Sequence, residues 1–125
     1  MADKKKILVV DDEQDILTIL DKRLSKEGYL VIKADNGRDA IRLAKSELPD
    51  LVLLDIVMPD MSGSDVAERL KKDIATKDIT VMFLTCLFTK KDEIEKGHEI
   101  GGNFFIAKPY DPKELLGEIK KRLPS

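Results

Sequence analysis

Asp11, Asp12 and Asp55 each stand at the end of an apolar block, Ile7-Leu8-Val9-Val10 before the first pair and Leu51-Val52-Leu53-Leu54 before the third. Brought together, two of these carboxylates about 4 Å apart would repel by roughly 4 kcal/mol at an effective dielectric of about 20. Such a cluster needs positive compensation. Mg²⁺ suits it, because that ion favours carboxylates, water and phosphate oxygens in an octahedral shell, and Mn²⁺ shares the oxygen preference and is the expected substitute. The sequence holds neither a cysteine/histidine zinc cluster nor an EF-hand loop. An aspartate beside such a cation can also attack phosphorus and become an aspartyl phosphate. Asp55 is the expected nucleophile. Lys108 supplies a fixed positive charge and Thr85 a hydroxyl donor, which together would stabilise the transferring group and the product.

These residues lie far apart in sequence, so the fold must collect them. The two apolar blocks lack the alternation of a half-exposed sheet and read as buried parallel strands. Between them, Ile16, Leu20 and Leu24 at four-residue spacing mark a helix that Gly28 ends. Leu30 to Lys33 is the next strand, and the Asn36/Asp39 spacing of a capping box opens a helix to about Ser46. A third helix spans about Ser64 to Lys72 on Val66, Ala67 and Leu70, followed by a strand from Ile79 to Leu84. Thr89 and Asp92 repeat the capping-box spacing and predict a fourth helix to about Ile100, broken by Gly101-Gly102. The strand Asn103 to Ala107 comes next. Asp111-Pro112-Lys113-Glu114 then combines an N-cap, an N1 proline and an N3 glutamate at the start of a fifth helix.

Five rounds of strand then helix imply right-handed crossovers and a doubly wound, three-layer α/β/α domain with a five-stranded parallel sheet. Ligands gather beyond the strand C-termini in such sheets. Asp11, Asp12, Asp55, Thr85 and Lys108 all fall there in this reading.

Composition fits one domain over 1–125, since 125 residues with 42% hydrophobic and 37% charged content can form one core with a solvated surface. The 22 Lys and Arg nearly balance 24 Asp and Glu, and the formal charge of -2 supplies no field favouring nucleic acid or anionic membrane. No apolar run approaches the roughly eighteen residues of a membrane span, and Met1 to Lys6 lacks the apolar stretch of a signal peptide. With Cys86 as sole cysteine, no internal disulfide forms and a cytoplasmic location is expected.

From Ile7-Leu8-Val9-Val10-Asp11-Asp12-Glu13 through Asp55-Ile56-Val57-Met58-Pro59-Asp60-Met61-Ser62-Gly63 to Thr85 and Lys108-Pro109, the chain resembles the bacterial response-regulator receiver family. The resemblance implies a flavodoxin-like strand order 2-1-3-4-5. It implies that Asp55 takes a phosphoryl group from the phosphohistidine of a sensor histidine kinase or phosphotransfer protein. Asp11, Asp12 and Asp55 would surround Mg²⁺, with Asp12 the more direct ligand and the backbone carbonyl of Val57 completing the set. It further implies a cis Lys108-Pro109 bond, and a switch in which Thr85 moves inward and Phe105 rotates. That switch would alter the face formed by the fourth helix, fifth strand and fifth helix, where a downstream protein or a phosphorylation-dependent dimer partner would bind. Cys86 and Gly102 depart from the family pattern, which more often has a small residue and an alanine there. Phe105 stands where a phenol is common.

Two other readings stay open on the residues alone. Carboxylates at strand ends and a threonine after a strand can simply cap backbone or remain solvated in an interaction module without chemistry. A small-molecule phosphatase could use an aspartyl phosphate as an intermediate, although no Gly-rich nucleotide loop supports it. Cys86 reads as a small buried hydrophobe, His98 as a helix-surface residue and Lys4-Lys5-Lys6 as a solvated flank.

Overall fold

The computed structural model describes residues 4–123. The first three and last two positions of the predicted 1–125 unit lie outside the described residues. The strands are β1 (Lys6–Val10), β2 (Leu30–Ala34), β3 (Leu51–Leu54), β4 (Thr80–Thr85), β5 (Glu99–Ile100) and β6 (Asn103–Ala107). The helices are α1 (Gln14–Lys26), α2 (Gly37–Glu47), α3 (Gly63–Lys72), α4 (Lys90–Glu95) and α5 (Pro112–Arg122).

The sheet order is β2-β1-β3-β4-β6-β5. Strands β1 to β4 and β6 pair in parallel, with Val10 opposite both Ala34 and Leu54, Leu54 opposite Phe83, and Thr85 opposite Ala107. Side chains alternate across these strands into two buried layers. Leu8, Val10, Val52, Leu54, Phe83 and Phe105 face one side with Ala40, Val66 and Leu70 of α2 and α3. Ile7, Val9, Leu51, Leu53, Met82 and Ile106 face the other with Leu20, Leu24, Leu115 and Ile119 of α1 and α5. Both faces of the central strands are therefore covered, which explains their unbroken apolar sequences.

Helix starts follow local chemistry. Asn36, Ser62, Thr89 and Asp111 all accept first-turn amides through their side chains. These bonds satisfy donors that have no partner within the helix.

The sheet has six strands where five are expected. The first five in the predicted arrangement are present, and β5 adds a short antiparallel edge, pairing Glu99 with Phe104 and Ile100 with Asn103. Accordingly the fourth helix ends at Glu95, not near Ile100. Gly97 and His98 have φ of 64° and 60°, a left-handed pair that no helix can contain. Gly101 and Gly102, at 55° and 85°, then form the two-residue turn of a hairpin, where they were expected only to break a helix. His98 is thus a turn residue rather than a helix-surface one. Cys86 is exposed rather than buried, because β4 ends at Thr85 and the chain turns outward.

Candidate functional site

Parallel pairing brings the C-terminal ends of β1, β3, β4 and β6 side by side. Asp11 follows β1 and its amide donates to Ala34 O at 3.2 Å, while the amide of Asp55, after β3, donates to Val10 O at 3.0 Å. These bonds continue the ladder for one residue and fix where the carboxylates leave the sheet. Ligand atoms of Asp11, Asp12 and Asp55 all lie within 4.8 Å of one another. Asp11 and Asp55 are only 2% and 5% exposed, whereas Asp12 faces solvent.

Lys108 arrives from the end of β6, and its Nζ lies 2.6 Å from Asp11 Oδ2 and 3.6 Å from Asp55 Oδ2. It meets the compensation that two buried carboxylates require. Burial pushes the Asp55 carboxyl above its ordinary pKa; the Lys108 charge opposes this, Asp11 adds to it, and the Thr85 hydroxyl and Val57 amide oppose it. Burial pulls Lys108 down, but its bond to Asp11 and the charges of Asp55 and Asp11 outweigh that and raise it. Lys108 is firmly cationic at neutral pH.

Thr85 is fully buried. Its hydroxyl oxygen accepts from the Leu87 amide at 3.2 Å, and the Lys108 amide donates to its carbonyl at 2.8 Å. Phe105 is also fully buried, with its ring 5.3 Å from that of Phe88. The Lys108-Pro109 peptide is cis. Val57 donates its amide to Asp55 Oδ1 at 3.3 Å. A cleft of about 540 Å³ lined by Lys71, His98 and Arg122 contains none of these residues. The buried charges distinguish the site.

Two residues of the quoted motif, Asp60 and Gly63, had no contact assigned to them from the sequence. Asp60 accepts from the amides of Gly37 and Arg38 at 2.9 and 3.0 Å, tying the loop after Asp55 to the start of α2. Gly63 donates its amide to Ile56 O at 2.8 Å, drawing the start of α3 onto the same loop. Neither contact leaves a local signal, since the Asp60 partners are over twenty positions away and any loop may contain glycine.

Residues 7–120 match the model of the response regulator receiver domain. The chain belongs to that family. This receiver is 42% identical over 117 residues to the probable transcriptional regulator ycf27 of Guillardia theta, covering 94% of the chain and 44% of the relative. It is 39% identical over 119 residues to the alkaline phosphatase synthesis transcriptional regulatory protein PhoP of Bacillus subtilis, covering 93% and 47%. The chain thus spans under half the length of both curated relatives. The response regulator TrrA of Thermotoga maritima, solved in complex with Mg²⁺-BeF, superimposes with a TM-score of 0.80 at 35% identity, covering 95% of this receiver and 99% of that chain.

The donor set fits a hard divalent cation. Three carboxylates with no thiolate or imidazole among them suit Mg²⁺, and the exposed Asp12 leaves one side accessible to water and phosphate oxygens. In this receiver, Asp11, Asp12 and Asp55 are placed for metal-assisted phosphoryl transfer.

Proposed function

We propose that this receiver is a two-component signalling switch in which Asp55 accepts a phosphoryl group from the phosphohistidine of a sensor histidine kinase or phosphotransfer protein. The observation that carries this reading is the convergence of Lys108 on both Asp11 and Asp55, from strand ends distant in sequence. An Asp55 carboxylate oxygen forms a bond to phosphorus as the donor nitrogen-phosphorus bond breaks, and the departing imidazole regains a proton from solvent. Mg²⁺ held by Asp11, Asp12, Asp55 and the Val57 carbonyl would neutralise charge on the phosphoryl oxygens. Lys108 stays within reach of the same oxygens, and Thr85 turns its hydroxyl hydrogen toward them. The product carries one phosphoryl group per protein and loses it slowly by hydrolysis, so the receiver is not a conventional multiple-turnover enzyme.

Donating this hydrogen leaves the hydroxyl oxygen free to keep accepting from the Leu87 amide, so an inward shift of Thr85 would draw the loop leading into α4 with it. The buried Phe105 ring packs beside Phe88 of that loop, and its rotation would carry the change to the face of α4, β6 and α5. A downstream protein, or a second phosphorylated copy, would read that face. The two curated relatives are named as transcriptional regulators; the near-balanced charge of residues 1–125 offers no field that favours nucleic acid, so any DNA contact lies outside this receiver unit. Among the described residues no helix is long and apolar enough to cross a membrane. The cytoplasm is the location that supplies such a kinase.

Incubation with acetyl phosphate or a phosphorylated kinase in the presence of Mg²⁺, followed by mass mapping, tests the assignment. Label is expected on Asp55, absent from Asp55→Asn and absent after chelation. A Mg²⁺-dependent adduct at another residue would overturn it.

A further inference from the structure

Among the described residues, the outer edge of β6 has no full-length neighbour. Strand β5 pairs only with Asn103 and Phe104, and the Phe105 amide donates to His98 O at 2.8 Å. The next outward amide, that of Ala107, would be an orphan beside the site. A side chain of α4 fills the gap: Ala107 N donates to Glu93 Oε2 at 2.8 Å, and both residues are buried, Glu93 being 4% exposed. The same oxygen lies 3.0 Å from Lys90 Nζ, and Lys90 reaches Glu114 of α5 at 3.8 Å. Glu93 Oε1 lies 3.8 Å from His98 Nδ1.

We propose that Glu93 is a positioning residue for Lys108: its buried carboxylate stands in for the missing strand at the Ala107 amide, fixes the end of β6 and aims the lysine at Asp11 and Asp55. The inference rests on Lys108 acting in phosphoryl acceptance by Asp55. Packing alone does not explain a carboxylate here, since an apolar side chain would fill the space without the cost of burying a charge. The pinning is two-sided. Lys108 N donates inward to Thr85 O at 2.8 Å while Ala107 N donates outward to Glu93, so the backbone is held on both edges immediately before the lysine side chain departs.

This contact also closes a circuit. The Thr85 hydroxyl holds the Leu87 amide, the following loop delivers Thr89 as N-cap of α4, and α4 returns through Glu93 to Ala107 and Lys108. An inward shift of the Thr85 hydroxyl would pull on the loop that sets α4 through the Leu87 amide, and α4 holds the strand that aims Lys108. Phosphoryl chemistry and α4 position are therefore coupled in both directions.

Labelling kinetics with acetyl phosphate at fixed Mg²⁺ test this on the folded proteins. Glu93→Met fills the space without an acceptor and should lower the rate constant for labelling Asp55 about tenfold, a fraction of the roughly hundredfold that a 1 Å misplacement can cause. Glu93→Gln keeps a carbonyl acceptor for the Ala107 amide and should restore most of the rate. Glu95→Ala, on the exposed side of α4, should leave it unchanged. In the parent, hydrogen exchange should show the Ala107 amide protected despite its place on the sheet edge, and Glu93→Met should remove that protection. A purely structural role would lower the unfolding midpoint while leaving the folded variant's rate constant intact. A Glu93→Met rate equal to the parent's, or a parent Ala107 amide exchanging like free peptide, would overturn the proposal. Failure to label Asp55 in the parent would instead refute the acceptor reading on which it rests.

Discussion

Gly63, the first residue of α3, stands so close to Asp55 that a Cβ at position 63 would lie 2.2 Å from the main-chain oxygen of Asp55 and 2.8 Å from Ile56 Cα. The neighbour is backbone, which cannot rotate aside as a side chain would. Gly63→Ala must displace either α3 or the segment that carries the acceptor carboxylate. We expect a loss of about 1–3 kcal/mol, the usual cost of overpacking, together with slower labelling of Asp55. Urea unfolding and phosphodonor kinetics measure the two effects, and a variant unchanged in both would show that the contact relaxes freely.

Lys108→Met should destabilise the metal-free protein by about 3 kcal/mol, because it leaves two buried carboxylates facing each other without their cation. Millimolar Mg²⁺ should reduce that deficit by restoring positive charge to the cluster. Thermal unfolding with and without Mg²⁺ reads the difference. An equal deficit in both conditions would indicate that the divalent ion does not take over the compensation that the lysine charge supplies.

The bonds from Gly37 and Arg38 hold the Asp60 carboxyl below the ordinary carboxylate range. A depressed folded pKa means that the stabilisation is present above the ordinary value of 3.8 and is lost as pH falls through the folded value. Asp60→Ala should cost about 1 kcal/mol at neutral pH, as for a lost helix cap, with the charge contribution screened at this exposed site. The gap between parent and variant should close as the medium is acidified below the ordinary value. Urea midpoints across the acid range check the sign, and a gap that widens on acidification would contradict it.

The alternation of buried strands and amphipathic helices was legible because the central strands are unbroken apolar runs and four of the five helices open on a side-chain cap. Val9-Val10-Asp11 and Leu53-Leu54-Asp55 mark strand ends by an abrupt change from apolar to charged, and with them the approximate place of the site. What escaped the sequence depends on pairing across the fold. Thr89 and Asp92 announced the start of α4 correctly, but its end is set by Gly97 and His98, whose left-handed backbone is stabilised by the bond from Phe105 to His98 O. Glu93 sits among charged neighbours in sequence and nothing there singles it out. Only the unfilled edge of β6 gives its carboxylate a buried partner. Asp60 similarly belongs to a recognisable loop, but its amides come from α2.

Val57 and Leu87 follow Asp55 and Thr85 by two positions each and are 52% and 53% exposed, so both residues stand at the surface rather than in the core. Neither can hydrogen-bond a water. Hydrolysis of the phosphoryl group requires a water aligned opposite the Asp55 oxygen, and an amide or carboxylate at either position could hold one there. Lys108 and Thr85 stabilise the phosphoryl oxygens in parent and variants alike, so the difference should lie in water placement. We expect Val57→Asn and Leu87→Glu each to shorten the phosphoryl lifetime by about tenfold, less than the roughly hundredfold lower bound for a fully positioned general base. The added carboxylate of Leu87→Glu also brings negative charge toward the phosphoryl group, which opposes its benefit and makes Val57→Asn the cleaner comparison. After phosphodonor removal at constant Mg²⁺, decay of the labelled species by intact mass gives the three lifetimes. Equal lifetimes in parent and both variants would mean that access at this rim does not limit hydrolysis, while leaving Asp55 as the acceptor.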